Sequence, residues 1–149
     1  MDEKPLYEGC LTVVGGSFDN AGEVSGSIKT ILKRMGLPSD VVRKAALVAY
    51  ESEINIVSYA RRGMIRLYVV PGSIMIEAID EGPGIPDIEL AMQPGYSTAS
   101  SKIREMGFGA GMGLCNINSF SDMFEISSEV GRGTYLKIII KTNKVPLNS

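Results

Sequence analysis

The chain has 149 residues, 44% of them apolar and 21% charged, with a formal charge of −2. These values suit one soluble globular domain with a single core, and they exclude the basic footprint of a nucleic-acid binder and a polybasic membrane anchor. There is no histidine, which removes Ser-His-Asp and Cys-His catalysis and most transition-metal sites, so any chemistry must rest on carboxylates, amides, glycines and Lys/Arg.

No apolar run reaches the roughly 18 residues that span a bilayer. The opening MDEKPLYEGC lacks the basic and apolar regions of a signal peptide. The two cysteines, Cys10 and Cys115, have no metal-ligand spacing, and reduced thiols in the cytoplasm are the expectation.

In chain order, LYEGCLTVVGGS reads as a first strand from its β-branched residues. AGEVSGSIKTILKRMG places Val24, Ile28, Ile31, Leu32 and Met35 at helical spacing, with Gly36 as the stop. A long helix follows, opened by Pro38 with Ser39 as the capping candidate, and is expected to run to about Arg62 with Gly63 beyond it. MIRLYVVPG and SIMIEAIDEG read as a hairpin turning at Pro71-Gly72. Glycine, proline and serine dominate from Glu81 to about Gly113, with room for a short helix at PDIELAMQ. MGLCNINSFSD begins another helix, and MFEISSEVGRGTYLKIIIKT reads as a second hairpin turning at GRG. With no repeat and no linker, the expectation is one α+β domain with its core at about 7–141 and a frayed tail over 142–149: a two-layer sandwich in which helices cover one face of a mixed sheet.

Four constellations could carry chemistry. On the long helix, Glu51 and Asn55 stand one turn apart on the same face. Glu53 is rotated by roughly 200° from both, so its replacement should matter little for anything Glu51 and Asn55 do. An Asn oxygen can serve Mg²⁺ as its one protein ligand while phosphate oxygens complete the shell, and a carboxylate one turn away can deprotonate a nucleophile. Taken alone, the pair reads first as a solvated polar face. Asp80, Gly82 and Gly84 follow an apolar strand in IDEGPGIPD. A carboxylate at the rim of the core can accept from the exocyclic amino group of adenine, and glycines admit a ligand close to backbone. An ordinary Gly/Pro turn is an equal reading there.

In GFGAGMGL, Gly107, Gly109, Gly111 and Gly113 alternate just before a helix. This is neither the dinucleotide fingerprint nor a P-loop, since no Lys follows. It does offer backbone N–H groups and a helix N-terminus to an anion, and a merely flexible loop is the weaker reading. Finally, GRGT holds Gly131, Gly133 and Thr134, and by itself it is a common β-turn. Between the second and third constellations, Lys102 and Arg104 are the only cations from Ser100 to Gly113. One of them, Arg104 before Lys102, is a candidate to reach a γ-phosphate, because Arg binds phosphate bidentately, and a solvated charge pair in a loop is a nearly equal reading.

In this order the four boxes resemble the GHKL ATP-binding family of gyrase, heat-shock chaperones, histidine kinases, MutL and anti-sigma serine kinases, over about residues 20–141. The resemblance implies the family's two-layer fold with an ATP–Mg²⁺ pocket between helices and sheet. Asn55 would then hold Mg²⁺ and Glu51 act on the nucleophile. Asp80, Gly82, Gly84, Gly107, Gly109, Gly111, Gly113 and Thr134 would line the nucleotide, and about 94–106 would form the ATP lid. Length and the missing histidine make the chain look most like anti-sigma serine/threonine kinases of the RsbW/SpoIIAB type. These phosphorylate a small STAS-type anti-anti-sigma protein, bind a sigma factor and act as homodimers. The alternatives are an ATP-dependent switch without kinase activity and a detached histidine-kinase-like catalytic domain. Tyr59 departs from that branch, which commonly has His four residues after the Asn, and matches a residue frequent in histidine kinases.

Overall fold

The computed structural model describes residues 5–94 and 113–142. Strand β1 (Tyr7–Val14) is followed by Gly15 and Gly16, whose N–H groups donate to Arg61 O and Val57 O. A side chain at Gly15 would place Cβ 1.8 Å from Ala60 O, so only glycine lets β1 end against the following helix pair. After a 3₁₀ turn at Phe18–Asn20 comes α1 (Glu23–Arg34). It buries Val24, Ile28 and Leu32 at the predicted four-residue spacing and stops before Gly36, which has φ +78°.

Helix α2 spans Ser39–Tyr59. Two details differ from the expectation. Ser39 is the first helical residue rather than the cap: Pro38 occupies that position and makes no side-chain capping bond. The helix also ends three residues before Arg62. Ala60 is extended (φ −104°, ψ 163°), Arg61 N–H donates to Glu81 O, and Arg62 and Gly63 pair with Glu81 and Asp80 in the sheet. The ladder offers these residues a backbone partner for every polar group, which outweighs the helical propensity of the two arginines.

The hairpin β2 (Arg62–Val70) and β3 (Ser73–Glu81) turns at Pro71-Gly72 as expected. A single helical turn, α3 (Ile88–Ala91), is capped by Asp87, which accepts from Leu90 N–H. Helix α4 (Gly113–Phe120) leads into the second hairpin, β4 (Met123–Glu129) and β5 (Gly133–Lys141). The five strands are ordered β1-β2-β3-β5-β4. The α+β two-layer class is as expected, but the sheet is antiparallel at all four pairings rather than mixed. Two hairpins account for two of those pairings. The α1–α2 excursion returns β2 antiparallel to β1, and β5 enters beside β3 in the opposite sense.

The inward rows of the sheet, including Ile65, Leu67, Ile74, Ile76, Ile138 and Ile140, are almost fully buried against α1, α2 and Ile117 of α4. Burying each such side chain contributes about 1.5–3 kcal/mol. The other sheet face carries a cross-strand row of alternating sign, Arg66–Glu77–Lys137–Glu125, the pattern that stabilises a solvated face. Tyr135 donates to Glu77 there, and that bond pushes its phenol up to about 12. Among the described residues, no helix is long and apolar enough to cross a membrane.

Candidate functional site

Two parts of the fold bring the predicted residues together. The first is the contact of α2 with α4. Glu51 and Asn55 share one face of α2, and the first turn of α4 lies against them in the opposite sense. Asn116 Nδ2 donates to Glu51 Oε2 at 2.7 Å. A Cβ at Gly113 would stand 3.0 Å from Asn55 Oδ1, so a side chain at that position would crowd this oxygen. The half-buried Glu51 and Asn55 are therefore not a solvated pair.

Glu53 does face away from them, but it is no bystander. It is 2% exposed and turned toward α1. Its carboxylate accepts from Gly22, Val24 and Ser25 N–H at 3.0, 3.2 and 3.0 Å. Helix α1 has no side-chain cap of its own, since Gly22 occupies the cap position in the left-handed region. A carboxylate from α2 does the capping instead, satisfying donors at the positive end of the helix.

The second part lies at the end of β3. Asp80 Oδ1 accepts from Thr134 N–H at 3.0 Å, and Gly82 N–H also bonds to this carboxylate. Burial pushes the carboxyl above the usual range, and the two N–H bonds pull the other way. Burial prevails, as expected for a carboxylate whose partners among the described residues are neutral donors. Gly133 must be glycine: its φ is +151°, and a Cβ would lie 1.9 Å from Asp80 O. Gly84, at φ +78°, packs its Cα where a Cβ would meet Glu129 O at 2.4 Å.

The boxes at 82–84 and 131–134, nearly fifty residues apart, thus form one structure. Gly131 N–H donates to Pro83 O, and Ile85 N–H donates to Ser128 Oγ at 2.7 Å. Ser128 also bonds to Gly133 O and Thr134 Oγ1. A pocket of about 440 Å³ adjoins this junction, lined by Tyr59, Ala60 and Arg61 of the α2 end, Glu81 to Pro83, Gly131 and Arg132. Glu51, Asn55 and Asp80 do not line it, so the hydrogen bonds rather than this cavity define the candidate site.

The donor chemistry fits the group the motifs imply. Among the described residues no three His, Cys, Asp or Glu side chains cluster as a metal site. A cation here would depend on a single amide oxygen and on phosphate oxygens from its nucleotide, the mode Mg²⁺ uses. Asp80 retains acceptor capacity for an amino group. Gly107, Gly109, Gly111, Arg104 and Lys102 lie outside the described residues. Two participants carried no sequence motif: Asn116, whose signal is only its place three residues after Gly113, and Ser128, which a turn assignment gives no reason to single out.

Comparison with known proteins gives the family. The sequence profile of the family described as Histidine kinase-like ATPase domain matches residues 17–140. An anti-sigma F factor of Caldanaerobacter subterraneus subsp. tengcongensis is 34% identical over 118 residues, covering 79% of this chain and 75% of the relative. The serine/threonine-protein kinase RsbT of Bacillus subtilis is 34% identical over 101 residues, covering 68% of this chain and 65% of the relative. In fold, the chain is similar to a chain in the crystal structure of the SiaB–SiaC complex from Pseudomonas aeruginosa. The TM-score is 0.62 at 15% identity, covering 91% of this chain and 89% of that one. The chain belongs to the histidine kinase-like ATPase domain family, the GHKL group to which its four boxes point, with anti-sigma factors and a serine/threonine kinase among its relatives.

Proposed function

We propose that the chain is an ATP-dependent protein serine/threonine kinase that phosphorylates a small STAS-type antagonist protein and binds a sigma factor. One observation carries the reading: a carboxylate, Glu51, is held beside an amide, Asn55, on the α2 face covered by the α4 N-terminus. A nucleotide sensor needs the amide and Asp80 but has no use for an oriented carboxylate one turn away. When bound, ATP with Mg²⁺ supplies the phosphoryl group and neutralises its charge. Asn55 Oδ1 serves as the protein ligand to the cation. Asp80 accepts from the adenine amino group, and Arg104 meets the terminal phosphate. Glu51 takes the proton of the attacking seryl or threonyl hydroxyl. The names of the relatives, an anti-sigma F factor and a serine/threonine-protein kinase, support a sigma-factor partner and a seryl or threonyl acceptor, and the STAS substrate and homodimerisation in the cytoplasm are part of the same reading.

The test mixes purified chain, ATP, Mg²⁺ and a candidate STAS protein and identifies the phosphorylated residue. Phosphoserine or phosphothreonine is expected, with Glu51→Gln retaining ATP binding and losing about 10²–10⁴-fold in transfer, the contribution of a general base. Two competing readings give different results. Phosphohistidine on a partner would favour a detached histidine-kinase-like domain, to which Tyr59 lends support. ATP-dependent partner binding without transfer would favour a switch.

A further inference from the structure

The kinase reading leaves unexplained what aims Glu51. A glutamate side chain has three rotatable bonds, and a base must stand within about 2.6–3.2 Å of the proton it removes. Misplacing a catalytic group by about 1 Å can reduce rate about 10²-fold. On its own helix, the residues three and four positions from Glu51 are Leu47, Val48, Ile54 and Asn55, three of them apolar and the last assigned to the cation through its oxygen. The restraint comes from the neighbouring helix, where Asn116 Nδ2 donates to Glu51 Oε2 at 2.7 Å in a partly buried contact. Only the amide nitrogen can donate to a carboxylate, so the orientation of the Asn116 side chain is fixed by its partner.

Resting on that reading, we propose that Asn116 is the positioning residue for Glu51, holding one carboxylate oxygen so that the other is presented to the hydroxyl of the substrate. A neutral amide suits this task better than Lys or Arg, since a cation beside the carboxylate would make it a weaker base. An amide also keeps its donor at any pH. Asn116 stands one turn into α4 from Gly113, which abuts Asn55 Oδ1. One helix therefore sets the base and leaves space at the metal-ligand candidate.

The test uses Asn116→Leu, of similar volume without a donor, and Asn116→Asp, which keeps the shape. Each is measured for ATP–Mg²⁺ affinity, kcat of phosphoryl transfer to the STAS protein and thermal midpoint, in the wild-type and Glu51→Gln backgrounds. Both variants should lose about 10–100-fold in kcat, the usual cost of removing an orienting partner, with ATP affinity within about twofold, a scale set by the absence of direct nucleotide contact. Neither should lower the residual transfer of Glu51→Gln, because Asn116 acts only through Glu51. Parallel losses of affinity and kcat, a loss that persists in Glu51→Gln, or an unchanged kcat would each overturn the proposal while leaving the kinase reading intact. A wild-type chain that binds ATP but transfers phosphate to no STAS protein would overturn the kinase reading, and this inference with it.

Discussion

Glu53 offers the sharpest test of how the fold is assembled around its site. Replacing it with Ala would orphan three backbone N–H groups of the first turn of α1, two of them in fully buried contacts. An unsatisfied buried donor costs about 1–3 kcal/mol, and part of that is offset because the carboxylate no longer has to be desolvated. A net loss of about 3 kcal/mol results. For a chain of this length each kcal/mol moves the midpoint by about 2–4 °C, so Glu53→Ala should melt about 6–12 °C below wild type. Glu53→Gln should fall between the two. It keeps one acceptor oxygen but turns an NH₂ toward a backbone donor, because Oε2 serves Gly22 and Val24 while Oε1 serves Ser25. Circular dichroism melts give the midpoints, and hydrogen exchange at Gly22–Ser25 localises the loss to α1. A Glu53→Ala midpoint within about 1 °C of wild type, with those amides still protected, would refute the assignment of Glu53 as the cap of α1, since even one orphaned buried donor exceeds that shift.

Asp80→Asn separates binding from stability. Losing a hydrogen bond from a charged group costs about 1.5–3 kcal/mol, so ATP affinity in calorimetry should fall about tenfold or more. Burial raises the Asp80 carboxyl above its unfolded value, so the folded state holds the proton more tightly. The stability this group contributes is present at acid pH and is lost as pH rises through the folded value. The variant should therefore be at least as stable as wild type at neutral pH, with the difference shrinking on acidification, as urea midpoints at two pH values would report. Asn55→Ala should weaken nucleotide binding more with Mg²⁺ than without it, and equal losses in calorimetry would remove it as a cation ligand. Gly133→Ala forces a Cβ to 1.9 Å from Asp80 O at φ +151°. It should destabilise by more than about 2 kcal/mol in urea unfolding through strain and backbone displacement, and a stable, ATP-binding variant would contradict that contact. Arg104→Ala should narrow the preference for ATP over ADP, measured by competition.

Periodicity and punctuation determine much of this protein on their own. The stripe Val24, Ile28, Leu32 dictates which face of α1 is buried, Pro71-Gly72 makes a hairpin of two β-rich runs, and the i, i+4 spacing puts Glu51 and Asn55 on one face. All of these depend on neighbours within a few residues, where local sterics leave few choices. The order of the four boxes was likewise legible, since it is a property of the linear chain. Tertiary structure alone decided the rest. The sheet claimed Arg62 from the helix it was expected to end, because the ladder with β3 took up its backbone. Pairing of β3 with β5 merged two glycine boxes nearly fifty residues apart into one junction and set Thr134 N–H on Asp80. Docking of α1 and α4 against α2 turned Glu53 into the cap of another helix and gave Glu51 its donor, Asn116. A hydrogen bond between residues 65 positions apart leaves no trace in local composition, because the geometry that creates it is set by helix packing and not by the residues beside it in the chain.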